Sequence, residues 1–320
     1  CNSTLLLQAT RRPFAFGQNL VLRSLVVCQR HLIILLKDTL TRLSCTSGWS
    51  KDSIIFTRLY CKATQTSEEE HTMAAITVED QGTVGLLRLT NGTTNAINGQ
   101  MVNDMHQALD ALSNEYKGLV LAGGEKFFSI GLDLPELLQL DQSEMGEFWH
   151  ALNQLAYDLF TLPIPAVCAL SGHAVAGGNV LALTCDYRLG GSEKKQIGLN
   201  EIKLGVPVPY LADLILRQTV GDRVATNMIF RGKFMPFDEA HQLGLIDDIF
   251  APEDVEEQAI QKAAFLAEFP EQAFAALKSQ RVEDISVRYQ KNGIARNEVF
   301  LDCWFSEPVQ KLLQEAAQKF

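Results

Sequence analysis

The sequence has no long hydrophobic run, and this absence limits the classes of protein to which it can belong. No stretch of about 18 uncharged apolar residues occurs, so no membrane-spanning helix is predicted. The 28 Lys and Arg are outnumbered by 38 Asp and Glu, which gives a net charge of −10. Proteins whose main role is to bind nucleic acid carry an excess of basic residues, so this class is disfavoured. The hydrophobic content of 47% excludes wholesale disorder.

Patterns typical of metal sites are also missing. The seven cysteines include no C-x-x-C pair, and the histidines at positions 106, 150, 173 and 241 lack the short spacing of metal ligands. Cys168 and Cys185 stand in apolar runs and are predicted to be small core residues. We therefore expect neither a metal site nor a redox role.

Charge is distributed unevenly along the chain. Residues 1–72 contain nine Lys and Arg against five Asp and Glu, a net charge of +4. Residues 73–320 contain 19 against 33, a net charge of −14. Four of the seven cysteines also fall within residues 1–72. This break in composition predicts a domain boundary near Met73.

Two interpretations of residues 1–72 remain open, and neither gives the segment a chemical role. Its abundance of Leu, Ser, Thr and Arg is typical of a mitochondrial transit segment, which predicts the mitochondrial matrix. Alternatively it is non-native sequence upstream of Met73, since it begins with Cys1, and the protein is then cytoplasmic or peroxisomal. Residues 32–36 are too short to span a membrane and could form a basic amphipathic helix.

Residues 73–320 alternate between short apolar runs and longer amphipathic stretches. Apolar runs bounded by turn residues predict strands at 84–89, 118–122, 165–170, 187–189 and 196–198. A predicted N-cap at Asn98 precedes apolar residues at helical spacing, which are Met101, Met105, Leu109 and Leu112. Further helices are predicted at about 144–161, at 177–183, and near 256–268, 271–283 and 307–319. This alternation predicts an α/β fold with parallel sheets over 73–255 and a helical region over 256–320.

Two glycine-bearing turns follow apolar strands, at residues 127–134 and 171–179. Glycine lets the backbone approach a ligand closely, and a helix that begins at Gly177 leaves unpaired N–H groups at its positive end. Two N–H groups that converge on one oxygen would form an oxyanion hole. Strand–glycine–helix turns are common in α/β proteins, so tight packing without a ligand remains the simpler explanation of the turns alone.

The two turns belong to a set of motifs spread over residues 75–320. The set comprises Asn95-Ala96-Ile97-Asn98, Phe-Ser-x-Gly-x-Asp-Leu at 128–134, Gly-x-Ala-x-x-Gly-Gly at 172–178, Cys185-Asp186-Tyr187-Arg188, Ile197-Gly198-Leu199-Asn200-Glu201 and Ala240-x-x-x-Gly244-Leu245-Ile246-Asp247. In this combination the sequence resembles the crotonase superfamily, the enoyl-CoA hydratase/isomerase family. The resemblance implies a spiral of ββα units with a C-terminal helical region, assembled as homotrimers or hexamers. It also implies acyl-CoA substrates, with coenzyme A as part of the substrate and no separate cofactor.

The resemblance further implies how the thioester is held. According to the resemblance, the backbone N–H groups of Ile130 and Gly177 form an oxyanion hole for the thioester oxygen. The residues implied to contact the CoA thioester are Ser129, Ile130, Gly131, Leu132, Asp133, Leu134 and Gly177. The side chain of Asp133 is expected to cap the helix that begins near Pro135.

The number of carboxylates separates the reactions of the family. Hydratases carry one Glu shortly after the middle glycine of the second turn and another further along the chain, and hydration needs both. Here the first position is Val180, three residues after Gly177, and the second is Glu201. Asp186 lies between them at a predicted strand start and is a poor substitute. One carboxylate is therefore missing.

A single carboxylate suffices to move a double bond. It removes a proton from C2 of a 3-enoyl thioester and returns it to C4, which gives the 2-enoyl thioester. The runs at 176–188 and 198–201 resemble the mitochondrial Δ3,Δ2-enoyl-CoA isomerases, which use one Glu. We therefore expect Glu201 to be the catalytic base of an isomerase in fatty acid β-oxidation. Its apolar neighbours Val180 and Leu199 are expected to raise its pKa.

Two other functions remain open. The chain could be a hydratase, or another enzyme of enolate chemistry, in which Glu136 or Glu144 supplies the second carboxylate. It could also be a non-catalytic acyl-CoA-binding protein that keeps the fold.

Several other side chains are assigned to structure rather than to chemistry. His173 is expected to be half-buried and bonded to the backbone. The aromatic residues Phe148, Trp149 and Trp304 are expected in the core rather than along an acyl tunnel. Lys278 and Arg281 are expected on a solvated helix face rather than at the CoA phosphates.

Overall fold

The computed structural model describes residues 24–28, 31–35, 75–191 and 194–318. The chain divides into two compact units, Cys1–His71 and Thr72–Phe320. In the first unit the strands β1 (Ser24–Cys28) and β2 (His31–Leu35) pair antiparallel. The amphipathic helix expected around residues 32–36 is therefore wrong. The interpretations of residues 1–72 as a leader otherwise lie outside the described residues, and the division at 255 and 256 stays a prediction.

Strands and helices alternate through the second unit. The strands are β3 (Ile76–Gln81), β4 (Val84–Leu89), β5 (Gly118–Ala122), β6 (Phe127–Ser129), β7 (Ala166–Leu170), β8 (His173–Val175), β9 (Tyr187–Gly191), β10 (Gln196–Gly198), β11 (Met235–Pro236) and β12 (Asp248–Phe250). The helices are α1 (Gly99–Glu115), α2 (Leu134–Leu137), α3 (Gln142–Thr161), α4 (Gly177–Thr184), α5 (Tyr210–Val220), α6 (Asp222–Arg231), α7 (Phe237–Gln242), α8 (Val255–Ala267), α9 (Glu271–Trp304) and α10 (Glu307–Ala317). A 3₁₀ turn occupies Glu201–Leu204. The predicted α/β class is confirmed.

The strands form two sheets that the chain visits in turn. One sheet has the order β12-β9-β7-β5-β4-β3, and the other has the order β11-β10-β8-β6. Apart from the antiparallel pairs β3–β4 and β10–β11, neighbouring strands are parallel. The chain repeatedly adds one strand to each sheet and then enters a helix or the 3₁₀ turn. The consecutive pairs that do so are β5 and β6, β7 and β8, and β9 and β10. This arrangement is the expected spiral of ββα units.

Burial explains why these segments form these elements. Every residue of β5 and β7 is buried, as expected for parallel strands covered on both faces. Alternate residues point to opposite faces, so Val120 and Val167 pack with helix α8 in one apolar cluster. Leu121 and Cys168 belong to the main core on the other face, and Cys185 is buried there as predicted.

Helix α1 begins as the sequence predicts. The Asn98 Oδ1 atom accepts a hydrogen bond from the Met101 N–H at 3.0 Å, which satisfies one of the unpaired donors of the first turn. The apolar positions at helical spacing, Met101, Met105, Leu109 and Leu112, are all buried. The helix thus fixes the segment before it, which carries Asn95 and Ile97 to the first glycine turn.

Helix α9 departs from the prediction in length and in the environment of one lysine. It runs for 34 residues rather than ending near 283, because widely spaced buried residues such as Phe300 and Trp304 continue to hold it against the core. Lys278 is 4% exposed instead of solvated. Its Nζ atom donates to Asp186 Oδ2 at 2.8 Å and to the Ile164 carbonyl oxygen at 3.0 Å.

Asp186 is the centre of a buried ion-pair cluster. Besides Lys278, it accepts hydrogen bonds from the Arg281 guanidinium and from the Ala166 N–H. Burial lowers the pKa of Lys278, and the charge of Asp186 opposes this shift. The cluster ties helix α9 to the ends of β7 and β9, so Asp186 serves the fold, in agreement with its rejection as a second catalytic carboxylate.

Replacing Lys278 by Met is expected to lower the free energy of unfolding by about 3 kcal/mol, because the buried Asp186 carboxylate loses a charged partner. Urea denaturation of the full chain measures the change. Arg281→Met is the matched control, since the Arg281 side chain is 42% exposed and its loss is expected to cost about 1 kcal/mol or less. Equal losses from the two substitutions would contradict a dominant role for the buried pair.

Candidate active site

The first glycine turn is held by a network of hydrogen bonds to the segment before helix α1. The Ser129 hydroxyl donates to the Asn95 carbonyl oxygen at 2.7 Å and accepts from the Gly131 N–H at 3.1 Å. The Ile97 N–H donates to the Gly131 carbonyl oxygen at 2.8 Å, and the Asp133 N–H donates to the Ile97 carbonyl oxygen. These bonds fix the backbone of the turn on both sides of Gly131.

The network changes the assignment of the backbone donor in this turn. The Ile130 N–H donates to the Thr94 carbonyl oxygen at 3.1 Å, so it is not free to bind a substrate oxygen. The expectation that Ile130 supplies the donor is therefore wrong. Among the described residues, the Leu132 N–H has no hydrogen-bond partner. The alternation of the backbone explains the difference, because Gly131 and Asp133 bond to Ile97 and leave Leu132 pointing the other way.

The second turn brings its own free N–H group against the first. Ala176 has φ 50° and ψ −124°, a conformation that is rare for a residue with a side chain, and it turns the chain into helix α4 at Gly177. The Gly177 N–H, at the first position of the helix, has no partner among the described residues. A Cβ atom at Gly131, which has φ +92°, would lie 2.8 Å from Gly177 N.

The free donors of the two turns are thus neighbours. Leu132 N lies 3.5 Å from the point where a Cβ atom of Gly177 would stand, and the Gly131 Cα atom lies 3.1 Å from that point. A Cβ atom at Gly131 would collide with the second turn, whereas a Cβ atom at Gly177 would make contacts that are only tight. Two adjacent free N–H groups, one of them at a helix N-terminus, suit an oxygen that carries negative charge.

Glu201 is a buried carboxylic acid at the start of the 3₁₀ turn. Its residue is 7% exposed, and its Oε2 atom has no hydrogen-bond partner in the described part of the chain. Burial raises the pKa of Glu201 to about 7, and backbone hydrogen bonds at Glu201 itself and at Asn200 offset this only in part. A carboxylic acid with this pKa can both accept and donate a proton near neutral pH.

One apolar cavity of about 150 Å³ joins these groups. Leu132 and Gly177 line it together with Glu201, and so does Val180. The remaining lining is Ile130, Leu134, Trp149, Leu152, Asn153, Ala156, Ala176, Asn200, Leu204, Val206, Pro209, Leu211, Phe234, Phe300, Trp304, Leu313 and Ala316. Glu201 is the single carboxylate in this lining, which places its unpartnered oxygen in a cavity otherwise made of apolar side chains, amides and backbone.

The remaining residues predicted to contact the thioester divide into two groups. Leu134 lines the cavity, whereas Ser129 and Gly131 do not, and their part is to shape the turn. The Asp133 carboxylate accepts a hydrogen bond from the Glu136 N–H at 3.2 Å, so it caps helix α2 as expected.

Sequence reasoning missed much of the cavity wall. Trp149 and Trp304 are buried, as predicted, but they also line the cavity, whereas Phe148 lies in the core alone. Phe300 lies in the part of α9 beyond residue 283, for which the sequence pattern predicts no helix. Asn200 was visible beside Glu201 in a motif, yet nothing in the sequence indicated that its buried Oδ1 atom would lack a partner among the described residues.

The side chains considered as alternatives lie elsewhere. Glu136 accepts hydrogen bonds from the Asn98 side chain and the Gly99 N–H, and Glu144 completes the capping box of α3. Both are exposed, and neither lines the cavity. His173 is half-buried and accepts a hydrogen bond from the Gln196 N–H at 2.9 Å, as expected. Burial lowers the pKa of His173, and Lys195 and Lys126 add to this effect.

No group of His, Cys, Asp or Glu side chains among the described residues is placed to hold a metal ion. No helix in the described ranges is both long and apolar enough to cross a membrane.

Known proteins resemble this chain in sequence. The chain is 28% identical over 235 residues to the human mitochondrial enoyl-CoA delta isomerase 1, a match that covers 72% of this chain and 78% of the relative. It is 32% identical over 203 residues to a probable enoyl-CoA hydratase, EchA17, of Mycobacterium tuberculosis, covering 63% of this chain and 77% of the relative.

The fold itself matches a solved relative. The crystal structure of human mitochondrial Δ3,Δ2-enoyl-CoA isomerase superposes with a TM-score of 0.74 at 27% identity, covering 77% of this chain and 97% of the other. The sequence model of the enoyl-CoA hydratase/isomerase family matches residues 79–320. Motifs, spiral and cavity thus lead to one assignment, and the chain belongs to the enoyl-CoA hydratase/isomerase family.

Proposed function

We propose that the protein isomerises 3-enoyl-CoA to trans-2-enoyl-CoA in fatty acid β-oxidation. The observation that carries the proposal is that Glu201 is the one carboxylate in the described lining of the cavity, while Val180 occupies the position of the second. In the proposed step Glu201 accepts a proton from C2 of the acyl chain and returns it to C4, so the proton count is unchanged and the double bond moves by one position.

The charge that develops on the thioester oxygen needs its own partners. The Leu132 and Gly177 N–H groups are proposed to donate to this oxygen in the enolate, with Leu132 replacing Ile130 in the expected pair. Each donor of this kind typically contributes a rate factor of about 10² to 10³. Coenzyme A enters as part of the substrate, and the proposed step requires no separate cofactor.

A hydratase is the second candidate, because a probable hydratase is as similar in sequence as the isomerase is. Hydration requires a second acid–base group to activate water while Glu201 handles the proton. The cavity offers Val180 at that position, and the alternative donors Glu136 and Glu144 are used in helix caps outside it. These contacts favour isomerisation.

Assembly and compartment are further parts of the proposal. A homotrimer or hexamer is supported by apolar side chains that α9 exposes, among them Leu277, Val287 and Ile294, which are 67%, 59% and 75% exposed. The mitochondrial matrix is supported by the transit-like composition of residues 1–72 and by the mitochondrial human relative.

Replacing Glu201 by Gln is expected to lower kcat for conversion of 3-hexenoyl-CoA to 2-hexenoyl-CoA by about 10³-fold or more, because the proton carrier is lost. The absorbance of the conjugated product measures the rate. Binding of hexanoyl-CoA, followed by titration calorimetry, is the control and should change little. A variant that retains the wild-type rate would contradict the role of Glu201.

The same assay separates the candidate functions. Incubation of the wild type with 2-hexenoyl-CoA in water is expected to yield little 3-hydroxyhexanoyl-CoA. Hydroxy product formed faster than the isomer would favour a hydratase, whereas tight binding of enoyl-CoA without turnover would favour a non-catalytic acyl-CoA-binding protein.

The pKa of Glu201 predicts the pH dependence of the rate. Only the ionised carboxylate accepts a proton, so kcat/KM is expected to fall as pH decreases through about 7. One pH unit below the pKa, the value should be about a tenth of its plateau. Initial rates between pH 5.5 and 9 measure the profile, and a constant kcat/KM over this range would contradict the assignment.

Stability provides a control that identifies the titrating group. Glu201 titrates near 4.5 when unfolded and near 7 when folded, so the folded state binds the proton more tightly. This contribution to stability is present below pH 4.5 and is lost as pH rises through 7. Glu201→Gln should therefore stabilise the protein more at pH 8 than at pH 5, by about 2 kcal/mol in urea denaturation.

The contact between the two turns predicts the effect of a single methyl group. Gly131→Ala would place a Cβ atom 2.8 Å from Gly177 N and would strain a residue with φ +92°. The turns must move apart, and kcat is expected to fall by about 10²-fold. Gly82→Ala is the matched control, because Gly82 also has positive φ but open space around it. Equal losses of activity in the two variants would contradict the proposed donor pair.

A further inference from the structure

Two stacked aromatic rings form part of the cavity lining. The rings of Trp149, on helix α3, and Phe300, on helix α9, have centroids 3.5 Å apart and planes inclined by 8°. Both residues are 2% exposed and both line the cavity. We call this pair the aromatic wall. Trp304 continues the stack, since its ring centroid lies 5.9 Å from that of Phe300.

The aromatic wall also lines a second space. An open groove of about 410 Å³ runs between the 3₁₀ turn and helices α5, α6 and α9. Trp149, Phe300 and Pro209 line both the cavity and this groove. Apolar side chains that line the groove alone include Val208 and Phe230. The stacked rings and Pro209 therefore contact both spaces.

We propose that the aromatic wall sets the acyl chain length that the protein accepts, by closing the cavity against the groove. This proposal depends on one part of the proposed function, namely that the cavity holds the acyl chain. An apolar cavity of about 150 Å³ holds a six-carbon molecule such as benzene. The preferred substrate class is accordingly short-chain to medium-chain acyl-CoA of about six carbons.

A length limit is expected because the acyl chain would meet a different environment at the aromatic wall. Each methylene that enters the apolar cavity strengthens binding by roughly fourfold. A methylene beyond the wall has no place in a close-packed interior unless the rings move. Affinity should therefore rise with chain length up to the wall and then stop rising or fall. Removal of one ring would connect the cavity with the groove and let longer chains continue into it.

Binding of a series of saturated acyl-CoAs, from butanoyl-CoA to dodecanoyl-CoA, tests the proposal on the full chain by titration calorimetry. For the wild type we expect the affinity to rise to about six carbons and to be at least tenfold lower at 12 carbons than at its maximum. Trp149→Ala is expected to move the maximum to ten carbons or beyond. Phe300→Leu is a milder second opening of the wall, expected to move the maximum in the same direction.

Two matched controls separate the wall from its surroundings. Trp149→Phe keeps an aromatic ring in the stack and should leave the maximum within two carbons of the wild type. Phe230→Ala removes a side chain that lines the groove alone and is 72% exposed, so the profile should be unchanged. Circular dichroism of each variant verifies the fold.

The outcomes separate failure of this proposal from failure of the proposed function, because saturated acyl-CoAs bind without turnover. A wild type that binds dodecanoyl-CoA as tightly as hexanoyl-CoA would overturn the aromatic wall as a length limit, whatever reaction the enzyme catalyses. A folded Trp149→Ala or Phe300→Leu variant with the wild-type profile would overturn it as well. If the protein shows a sharp length limit but no isomerase activity, the role of the aromatic wall is supported and only the proposed isomerisation is rejected.

Discussion

The contact between two glycine turns is the constraint on which the rest of the site depends. Gly131 and Gly177 bring two backbones together so closely that a side chain at Gly131 would collide with the second turn. Backbone groups held this way are pre-organised, because their positions are fixed by the fold before any ligand arrives. The cost of the contact is visible at Ala176, whose positive φ turns the chain into helix α4. Hydrogen bonds from Ser129 and Ile97 hold the opposite turn and keep the strained contact in place.

Desolvation is the second physical requirement, and it acts on one side chain. Among the described residues no cationic neighbour shifts the pKa of Glu201, and burial is the dominant cause of the rise. The spiral of ββα units produces this burial by stacking β8 beside β10, so that helix α4 and the 3₁₀ turn leave the small sheet side by side. Helices α3, α9 and α10 then cover both. The acid and the free amides consequently line one largely apolar cavity, where each interaction is stronger than in bulk water.

Much of the fold and part of the candidate site could be predicted from local sequence patterns. The predictions that were wrong failed for physical reasons. The N-cap at Asn98, the buried strands and the helix at Gly177 follow from nearest neighbours in sequence. The donor of the first turn could not be predicted in the same way, because whether Ile130 or Leu132 is free depends on hydrogen bonds to Thr94 and Ile97, some 35 residues earlier. Lys278 was misplaced for the same reason, since its partner Asp186 lies 92 residues away. Helix α9 was predicted too short because its buried residues are sparse.

The length of helix α9 has a consequence for how the protein can diversify. Its N-terminal part is fastened to the sheets through Lys278, and Phe300 near its other end contributes to the cavity, 22 residues or about 33 Å along the helix axis. Leu132, Gly177 and Glu201 lie within residues 129–201, whereas a separate part of the cavity lining comes from residues after 296, namely Phe300, Trp304, Leu313 and Ala316. Substitutions after residue 296 can therefore change the size of the cavity while Leu132, Gly177 and Glu201, which lie earlier in the chain, keep their geometry.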